Sequence, residues 1–594
     1  GLGRSLGLAL SMTLMCLAGH PEHIFLVHAY VWVFLIFRLA TLRTKKIFPD
    51  ILGWGLASYL MMIGLSAFVL FPFLYNWVFE FWHSHPEYLG ALVEAKGLMK
   101  EAVVSFFFPA FYQTAPVTLD FSRYSFWGHL GVIPLGLAFL GLRGRQRRWL
   151  NAFFAFLAFA IFAKSHIQIP FINWIGYLPL FNVCRFYHHT AHLFAFSVAV
   201  LAGMGIRRLL SGRKFFLGGQ IYAGLVILLA GAALVYYRGA EHFSLSVRAV
   251  GWGLAALAGF EGLLLAGKFG RLPGRVAGFL VLAVLVAELS FHVPRERVRR
   301  FDSYPRVPYI EFLKGQTGRN RAYGVFWTMY PNTASGYGID DFGIAEGLLP
   351  NKRFVPFINR LIFKDYFRMR YGGTAFWVIP ATFMNNARPF LDMLNVRFTA
   401  APLHLASFFP PAADKDFARP VYAREVLVYE SPGAFPRAFI VHRAVFEPDE
   451  DRALEALGRL RGNLRDIAVL QALPDEAIAE ELLKSPVRDG SAARIVAYGP
   501  NEVVVEADVR NAGLLVLSDA YHPEWKARVN GKPAKIYQAN VLVRAVFLPA
   551  GRHTVRFIFS PLSFWAGVAV SFSSLFVLIL LAFRIRGSVS RKMK

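Results

Sequence analysis

Long apolar runs, separated by short charged connections, constrain this chain more than any other feature. A helix needs about 20 mostly apolar residues to cross roughly 30 Å of hydrocarbon. Ten runs of this character are present, and charges are concentrated in the connections between them. They lie near Ser5–Leu17, His23–Phe37, Ile51–Tyr75, Ser125–Leu142, Leu150–Ala163, Ala191–Ile206, Phe215–Tyr236, Val250–Ala266, Val276–Phe291 and Ser563–Phe583. The pattern predicts a polytopic α-helical membrane protein with about 10 transmembrane helices, and disfavours the core helices of a soluble protein.

The positive charge of the chain is unevenly distributed. Its formal net charge is +26, which alone would suggest a nucleic-acid partner. One set of segments holds 20 Lys and Arg but a single acid, and it comprises 38–50, 141–149, 206–214, 267–275 and 584–594. The alternate connections hold seven basic and seven acidic residues, and they comprise 18–22, 76–124, 164–190 and 237–248. By the positive-inside rule the basic set faces the cytoplasm, where it also attracts anionic membrane lipids. We therefore expect no nucleic-acid partner, a cytoplasmic carboxyl terminus and an extracytoplasmic segment at 293–562.

The composition becomes that of a soluble protein after Arg295, which predicts a division into five segments. Helical spacing at Asp449–Leu460 and Asp475–Leu483 indicates mixed α/β structure. The five segments are a membrane domain with about nine transmembrane helices (1–292), an extracytoplasmic mixed α/β region (293–488), an extracytoplasmic β-sandwich (489–562), the last transmembrane helix (563–583) and a basic cytoplasmic tail (584–594).

Strand periodicity begins at Arg494 and predicts about six short strands. They are Val503–Val505, Leu514–Leu517, Trp525–Val529, Ala534–Gln538, Val541–Phe547 and Thr554–Ile558. Asn530–Gly531 indicates a tight hairpin, because a type I′ turn needs positive φ at both central residues. So many strands in so short a segment predict a small β-sandwich. Because Cys16 and Cys184 both lie outside it, we expect no disulfide there.

Ionisable residues at membrane depth are the first candidates for a functional site. The signatures of soluble enzymes, such as a phosphate-binding loop or HExxH, are absent from the sequence. Charged groups inside a membrane are costly and often functional. Four fall in the outward halves of their predicted helices, namely His28, His129, His192 and Glu288. They predict a polar cavity open to the outer face, with hydrogen bonding between helices as the alternative. Glu261 lies nearer the inner end, where pairing with Lys268 explains it better.

Two predicted outer loops add polar groups to this face. The turn 19–23 contributes His20, Glu22 and His23 to the cavity. The segment 182–189 leads into the helix of His192, and it adds Arg185, His188 and His189. Guanidinium groups bind phosphate bidentately and helix N-termini attract anions, so Arg185, His188, His189 and His192 predict a phosphate site. A headgroup anchor is the alternative for Arg185. A divalent metal on the histidines is disfavoured, because adjacent histidines point in different directions on a helix, so no metal ligand is assigned.

One stretch of the outer segment resembles a known family. Residues Leu515–Lys535 read LVLSDAYHPEWKARVNGKPAK, and similar sequence continues at Ala539–Asn540, Arg544–Val546, Pro549–Phe557 and Ser560–Pro561. This pattern resembles the YfhO family of bacterial polytopic membrane proteins, which are similar to GT-C glycosyltransferases. Glu524 stands where the family usually has Gly, and Asn530 where it usually has Asp. The weaker agreement lies at Leu391–Phe398, Phe435–Val441, Gly19–Glu22, Phe181–Arg185 and Leu201–Gly205.

The resemblance implies a GT-C-like protein of the bacterial cytoplasmic (inner) membrane. Such a protein transfers a sugar from a polyprenyl-phosphate donor to a cell-envelope glycan acceptor on the extracytoplasmic face. An acidic residue then acts as base for the acceptor hydroxyl, and positive groups hold the departing phosphate. No certain cofactor is implied, and a divalent metal stays an open alternative.

The acidic residues of GT-C enzymes usually lie in the first outer loop, which here is only 18–22. We therefore expect the first helix of this chain to match a later family helix, and the acidic motif to be missing from it. By position alone, Glu22, Asp120 and Glu288 are the catalytic candidates.

A second function class fits the same sequence. A non-catalytic membrane protein, whose outer domain binds glycan or an envelope assembly partner, agrees with the missing acidic motif and the well-specified β-domain. A transporter would predict broken helices in paired halves, and no internal symmetry is visible in the sequence. The segment before Gly1 discriminates between the first two, since further helices and an acidic outer loop would favour the enzyme.

Overall fold

A computed structural model describes most of the apolar helices and of the carboxyl-terminal region. It covers residues 2–41, 48–80, 99–108, 130–142, 148–167, 169–178, 181, 184, 190–210, 216–236, 238–239, 243–269, 273–292, 304–325, 328–329, 333–343, 351–362, 384–404, 420–472, 474–484 and 489–592. The chain forms two compact units. The first contains residues 3–58 and 84–299, and the second contains 59–83 and 300–594. Residues 59–83 therefore belong with the carboxyl-terminal unit, whereas the sequence predicted a continuous membrane domain over 1–292.

The helices follow the apolar runs. They are α1 (Leu2–Ala18), α2 (Pro21–Thr41), α3 (Phe48–Leu65), α4 (Ala67–Phe79), α5 (Met99–Phe107), α6 (Val132–Leu142), α7 (Arg148–His166), α8 (Pro170–Asn173), α9 (Ala191–Leu210), α10 (Phe216–Tyr236), α11 (Phe243–Lys268), α12 (Gly274–His292), α13 (Pro308–Thr317), α14 (Phe354–Phe357), α15 (Met384–Met393), α16 (Glu450–Arg459), α17 (Glu476–Lys484) and α18 (Leu562–Lys592). Short 3₁₀ turns lie at Trp174–Tyr177 and Ala334–Tyr337, and a π turn lies at Ile358–Ile362.

Each of the ten predicted runs contains helix, but not each is long enough to span a membrane. Within the described residues, six helices meet the length and apolarity needed, and the α3–α4 pair would make a seventh. The six are Pro21–Thr41, Arg148–His166, Ala191–Leu210, Gly218–Tyr236, Ser246–Gly267 and Leu562–Arg584. Helix α6 has 11 residues, or about 16 Å at 1.5 Å per residue. A polytopic membrane protein is supported, while the count of ten full spans stays a prediction.

Close approach of helix backbones organises the first unit. A Cβ added to Gly141 of α6 would lie 2.1 Å from the carbonyl oxygen of Leu201, and one added to Gly205 of α9 would lie 2.0 Å from that of Leu137. Small residues at such crossings let the backbones meet. Around this contact Ile133, Leu137, Leu140, Leu201 and Phe260 form a buried core. The Leu201–Gly205 segment, one of the weaker family-like stretches, thus has a packing role.

The predicted third run is two helices rather than one. Helices α3 and α4 meet at Ser66 with a bend of 81°. Ser571 of α18 lies at the break, where its Oγ accepts a hydrogen bond from the Phe68 amide at 3.1 Å and donates one to the Gly64 carbonyl at 3.0 Å. This hydroxyl satisfies backbone groups that the break would otherwise leave unpaired, which makes the bend tolerable in an apolar environment.

The second unit contains three sheets. The strands are β1 (Arg321–Gly324), β2 (Val396–Pro402), β3 (Tyr422–Ala423), β4 (Val426–Glu430), β5 (Ala438–Val441), β6 (Arg443–Phe446), β7 (Ile467–Leu470), β8 (Ala492–Tyr498), β9 (Glu502–Val509), β10 (Gly513–Ala520), β11 (Trp525–Val529), β12 (Lys532–Ala534), β13 (Tyr537–Ala539), β14 (Val543–Leu548) and β15 (Gly551–Phe559). Their orders are β1-β2-β4-β3, β5-β10-β14-β13-β7-β6 and β12-β11-β15-β9-β8. Strands β1 and β2 are parallel, as are β6 and β7, and the other pairs are antiparallel.

The six- and five-stranded sheets pack as a sandwich, but the predicted boundary near residue 488 runs through one of them. Strand β10 pairs with β5, for example Leu515 with Ile440. Leu515 and Leu517 face the five-stranded sheet, while Leu514 and Val516 face a second core. Because β10 is buried on both faces, its sheet must recruit strands from before residue 488.

The turns of the sandwich explain where its strands end. Asn530 and Gly531 have φ values of 48° and 81°, which confirms the predicted hairpin between β11 and β12. The predicted strand Ala534–Gln538 is divided between β12 and β13, which belong to different sheets, because the chain crosses from one sheet to the other here. Strand β14 begins at Val543 rather than at Val541, because Val541 has a φ of 67°.

Candidate functional site

Three of the predicted polar residues meet at one end of the helices of the first unit. His20 and His23 flank the start of α2, and their ring centroids are 5.6 Å apart. The ring of His23 lies 5.1 Å from that of His192, in the first turn of α9. Residues about 170 positions apart in the sequence are therefore neighbours. We name the polar side chains at the adjoining ends of α2, α7 and α9 the helix-end cluster: His20, Glu22, His23, Lys164, Ser165, His166, Thr190 and His192.

Glu22 supplies the negative charge of the helix-end cluster. It lies in the first turn of α2, and its side chain is buried. Burial and, secondarily, the negative charge of Glu22 raise the pKa of the Cys184 thiol, which places Cys184 near this carboxylate. A carboxylate in the first turn of a helix lies at the positive end of the helix dipole, and Glu22 has this position in α2.

The end of α7 adds polar side chains that the sequence did not predict. Lys164, Ser165 and His166 are buried, with 4%, 1% and 7% of their surfaces exposed. The hydroxyls of Ser165 and Thr190 are 3.2 Å apart, which joins the end of α7 to the start of α9. The available signal was a polar triplet directly after the apolar run 150–163. Because such a triplet usually marks an exposed helix end, its burial depends on packing that the sequence does not display.

Glu288 and His28 both have backbone partners, Glu288 in another helix and His28 in its own. The Glu288 carboxylate accepts hydrogen bonds from the Val132 amide at 2.7 Å and the Ile133 amide at 3.0 Å, and so caps the start of α6. Nδ1 of His28 lies 2.7 Å from the carbonyl oxygen of Ile24, one turn earlier in α2. Glu261 accepts a hydrogen bond from Gln220 of α10 at 3.0 Å. Capping and contacts within or between helices account for these polar groups.

The remaining predicted site residues lie outside the described residues. They are Asp120, His129, Arg185, His188 and His189. Within the described part of the chain, no group of three His, Cys, Asp or Glu side chains is arranged to hold a metal ion.

A second polar cluster lies in the second unit, centred on the Asp519 carboxylate of β10. Its Oδ1 lies 3.1 Å from a terminal nitrogen of Arg321 and accepts a hydrogen bond from Nε of Arg437 at 2.9 Å. Its Oδ2 accepts one from Arg544 at 3.1 Å. We name these four residues, with Asp340 and Tyr498, the Asp519 network. Burial raises the pKa of Asp519, but Arg437, Arg321 and Arg544 outweigh it and hold the pKa below its usual value.

Aromatic side chains extend the Asp519 network. The Arg544 guanidinium lies 3.7 Å from the ring centroid of Trp525, and that of Arg437 lies 4.9 Å from the Tyr498 ring. Arg321 belongs to β1 of the four-stranded sheet, Arg544 to β14 of the six-stranded sheet and Trp525 to β11 of the five-stranded sheet. The network therefore connects all three sheets. Arg437, Asp519 and Arg544 lie within the family-like stretches of the sequence, but no pattern there indicated a role for them, and none indicated Arg321.

The family-like segment also contacts the bent helix. Glu80, directly after α4, forms a buried bidentate ion pair with Arg353, whose guanidinium lies 5.2 Å from the Tyr521 ring centroid. Nε2 of His522 is 3.0 Å from Oδ1 of Asn76 in α4. Glu524, at a position where the family usually has Gly, accepts a hydrogen bond from the Ser563 amide at 3.2 Å and so caps α18.

Comparison with known protein families gives a match over the same part of the sequence that resembled a family. Residues 480–571 match the family model described as "Bacterial membrane protein YfhO". The predicted resemblance is confirmed over these residues, which contain Tyr498, Asp519, Trp525 and Arg544, and with the apolar helices it supports a membrane protein. Searches of curated proteins and of solved structures gave no match.

Proposed function

We propose that the chain is a glycosyltransferase-like membrane protein of the bacterial inner membrane. It would transfer a sugar from a polyprenyl-phosphate donor to a cell-envelope glycan acceptor on the extracytoplasmic face. The observation that carries this proposal is the helix-end cluster, in which buried Glu22 and several basic side chains share the ends of α2, α7 and α9. The charge distribution predicts that these ends face away from the cytoplasm. The family match over 480–571 agrees with this function class.

The cluster contains the two kinds of group that this transfer needs. The acceptor hydroxyl attacks the anomeric carbon of the donor, the bond from that carbon to the phosphate oxygen breaks, and the phosphate leaves with the electron pair. Glu22 is the candidate base that takes the hydroxyl proton. Lys164 and His192, with Arg185, His188 and His189 of the sequence segment that precedes α9, are the candidates that stabilise the negative charge of the leaving phosphate.

The proposal is tested by removing the charge of Glu22. We expect Glu22→Gln to lower turnover of a polyprenyl-phosphate sugar by about 100-fold or more, because general-base catalysis contributes on this scale. Turnover is measured on the full chain reconstituted in liposomes, with release of polyprenyl phosphate as the readout. The matched control is Asp50→Asn, which removes an exposed acid in the first turn of α3 and should leave turnover unchanged. Equal turnover in Glu22→Gln and Asp50→Asn would exclude Glu22 as the base.

A further inference from the structure

An open cavity lies beside the Asp519 network. Its volume is about 450 Å³, and its lining includes Tyr498, Pro500, Asp519, Trp525 and Arg544. Ligand pockets in proteins commonly measure about 300–1,000 Å³, so a single sugar with its substituents fits this size. The cavity lies within the segment that matches the family model, and none of the sequence-predicted site residues lines it.

The charges around the cavity do not balance. Arg321, Arg437 and Arg544 carry three positive charges, while Asp519 and Asp340 carry two negative ones. The Asp340 side chain is 49% exposed, so water screens its charge more than that of the buried Asp519. Buried guanidinium groups are stable when anions compensate them, and here one buried carboxylate serves three. The excess positive charge makes the cavity attractive to an anion.

Arg544 is the arginine of this group that lines the cavity. Only 2% of its surface is exposed, and its Nε has no hydrogen-bond partner within the described residues. Burial lowers the pKa of Arg544 to about 10, and Asp519 opposes this shift, so the side chain stays charged at neutral pH. A second cation, Arg319, is exposed to solvent. Its guanidinium lies 5.5 Å from the ring centroid of Tyr498, one of the residues that line the cavity.

The aromatic lining suits a sugar ring. Tyr498 is 39% exposed and Trp525 is half-buried, so both rings contribute apolar surface to the cavity. Apolar faces of sugar rings pack on aromatic rings, while ring hydroxyls need polar partners. The Tyr498 hydroxyl lies 3.2 Å from Oδ1 of Asp519 and also contacts Arg437, so the ring is held in place by the network.

We propose that this cavity binds a sugar that carries an anionic group, either a phosphate or a carboxylate. The anion faces the positive charge of Arg319 and Arg544, and the sugar ring packs on Tyr498 and Trp525. The inference concerns binding alone, so it stands whether or not the helix-end cluster transfers sugar. It gives the outer domain a ligand chemistry and a site for the glycan binding that the sequence raised as an alternative function.

Binding of small probes to the full chain in detergent tests the site. The probes are glucose 6-phosphate, glucuronate, glucose and inorganic phosphate, each titrated calorimetrically up to about 10 mM. We expect glucose 6-phosphate or glucuronate to bind more tightly than glucose and than inorganic phosphate, because only the first two offer both an anion and a ring. The better of the two identifies the anion. Binding of inorganic phosphate as tight as that of both anionic sugars would contradict a sugar site, and so would the absence of binding by all four probes.

Two matched arginine variants locate the binding. Arg319→Ala should weaken binding of the anionic sugar by about tenfold, since a hydrogen bond to a charged group contributes about 1.5 kcal/mol or more to the binding free energy. The control is Arg424→Ala, which removes another exposed arginine over a tyrosine, Tyr422, at 5.9 Å and away from the cavity lining. Both side chains are exposed, so neither variant should unfold the chain. Equal affinity of the two variants for the anionic sugar would overturn the assignment.

Discussion

Asp519 shows how a single side chain organises the interior of the carboxyl-terminal unit. Its carboxylate forms ion pairs with Arg321, Arg437 and Arg544, which come from three distant parts of the chain. Each guanidinium would be costly in the interior without an anionic partner. The LSDAYHPEW stretch is therefore structural at Asp519, since this residue fixes the arginines that border the cavity.

Replacing Asp519 with Asn should destabilise the protein strongly. The change leaves the buried guanidinium groups of Arg321 and Arg544 without their anion and leaves Arg437 with the half-exposed Asp340 alone. Losing one partner of a buried pair costs about 3–5 kcal/mol. Thermal unfolding in detergent measures the effect. The control is Asp508→Asn, in an exposed pair with Arg552, whose side chains are 64% and 89% exposed. Such a surface pair contributes less than about 1 kcal/mol. Equal losses in the two variants would contradict a stabilising role for Asp519.

The same residue predicts a pH dependence. Burial raises the pKa of Asp519, but the three arginines lower it further, so the folded-state pKa lies below the unfolded value of about 3.9. A depressed pKa means that the stabilisation is complete above about pH 4 and is lost as the pH falls toward the folded value. Asp519→Asn should therefore remove part of the acid sensitivity of unfolding in that range.

Some of these polar residues could be predicted from the sequence, but most of their contacts could not. His20, His23 and His192 were predicted as one polar face because their helix ends face the same side, and they are indeed neighbours. Arg321 gave no signal, because its partner Asp519 lies about 200 residues later and only tertiary packing brings the two together. Burial of Lys164 was missed for the same reason.

Among the elements, the crossing of α6 and α9 depends on two glycines. Gly141 and Gly205 each meet a backbone carbonyl of the facing helix at a distance that no Cβ tolerates. The apolar pattern predicted both helices but not their crossing, because a glycine in an apolar run looks the same whether it faces lipid or a second backbone. The bend at Ser66 escaped prediction similarly, since the hydroxyl that supports it comes from Ser571 in a distant helix.

Substitution of Gly205 by Ala should separate α6 from α9. The new methyl would lie 2.0 Å from the Leu137 carbonyl oxygen, so the helices must shift, at about 1–3 kcal/mol for overpacking. Gly203→Ala in the same helix is the control, because nothing lies within 4 Å of its added Cβ. Thermal unfolding in detergent should show a loss only for Gly205→Ala. A loss of the same size for Gly203→Ala would show that helix crossing is not the cause.

At the scale of the whole molecule, the sequence predicted a polytopic membrane protein with a large mixed α/β region and a β-sandwich. The structure groups residues 59–83 in one unit with residues 300–594, which include α18. The two divisions follow different features. Hydropathy separates apolar from polar segments, whereas compact units follow contacts such as that of Ser571 with the break at Ser66. Strand β5 likewise belongs to the sandwich through its pairing with β10, although it lies before the predicted start of the sandwich at residue 489.

The charge distribution predicts that residues 293–562 lie outside the cytoplasm and that the basic connections lie inside. Both native cysteines, Cys16 and Cys184, are buried, so an introduced exposed cysteine is the main target for a membrane-impermeant maleimide. Glu455, whose side chain is 65% exposed, and the exposed Arg148 are suitable positions. In intact spheroplasts, Glu455→Cys should label at once and Arg148→Cys only after the membrane is opened. Labelling of Arg148→Cys before opening, with protection of Glu455→Cys, would contradict the topology and with it the proposed outer-face function.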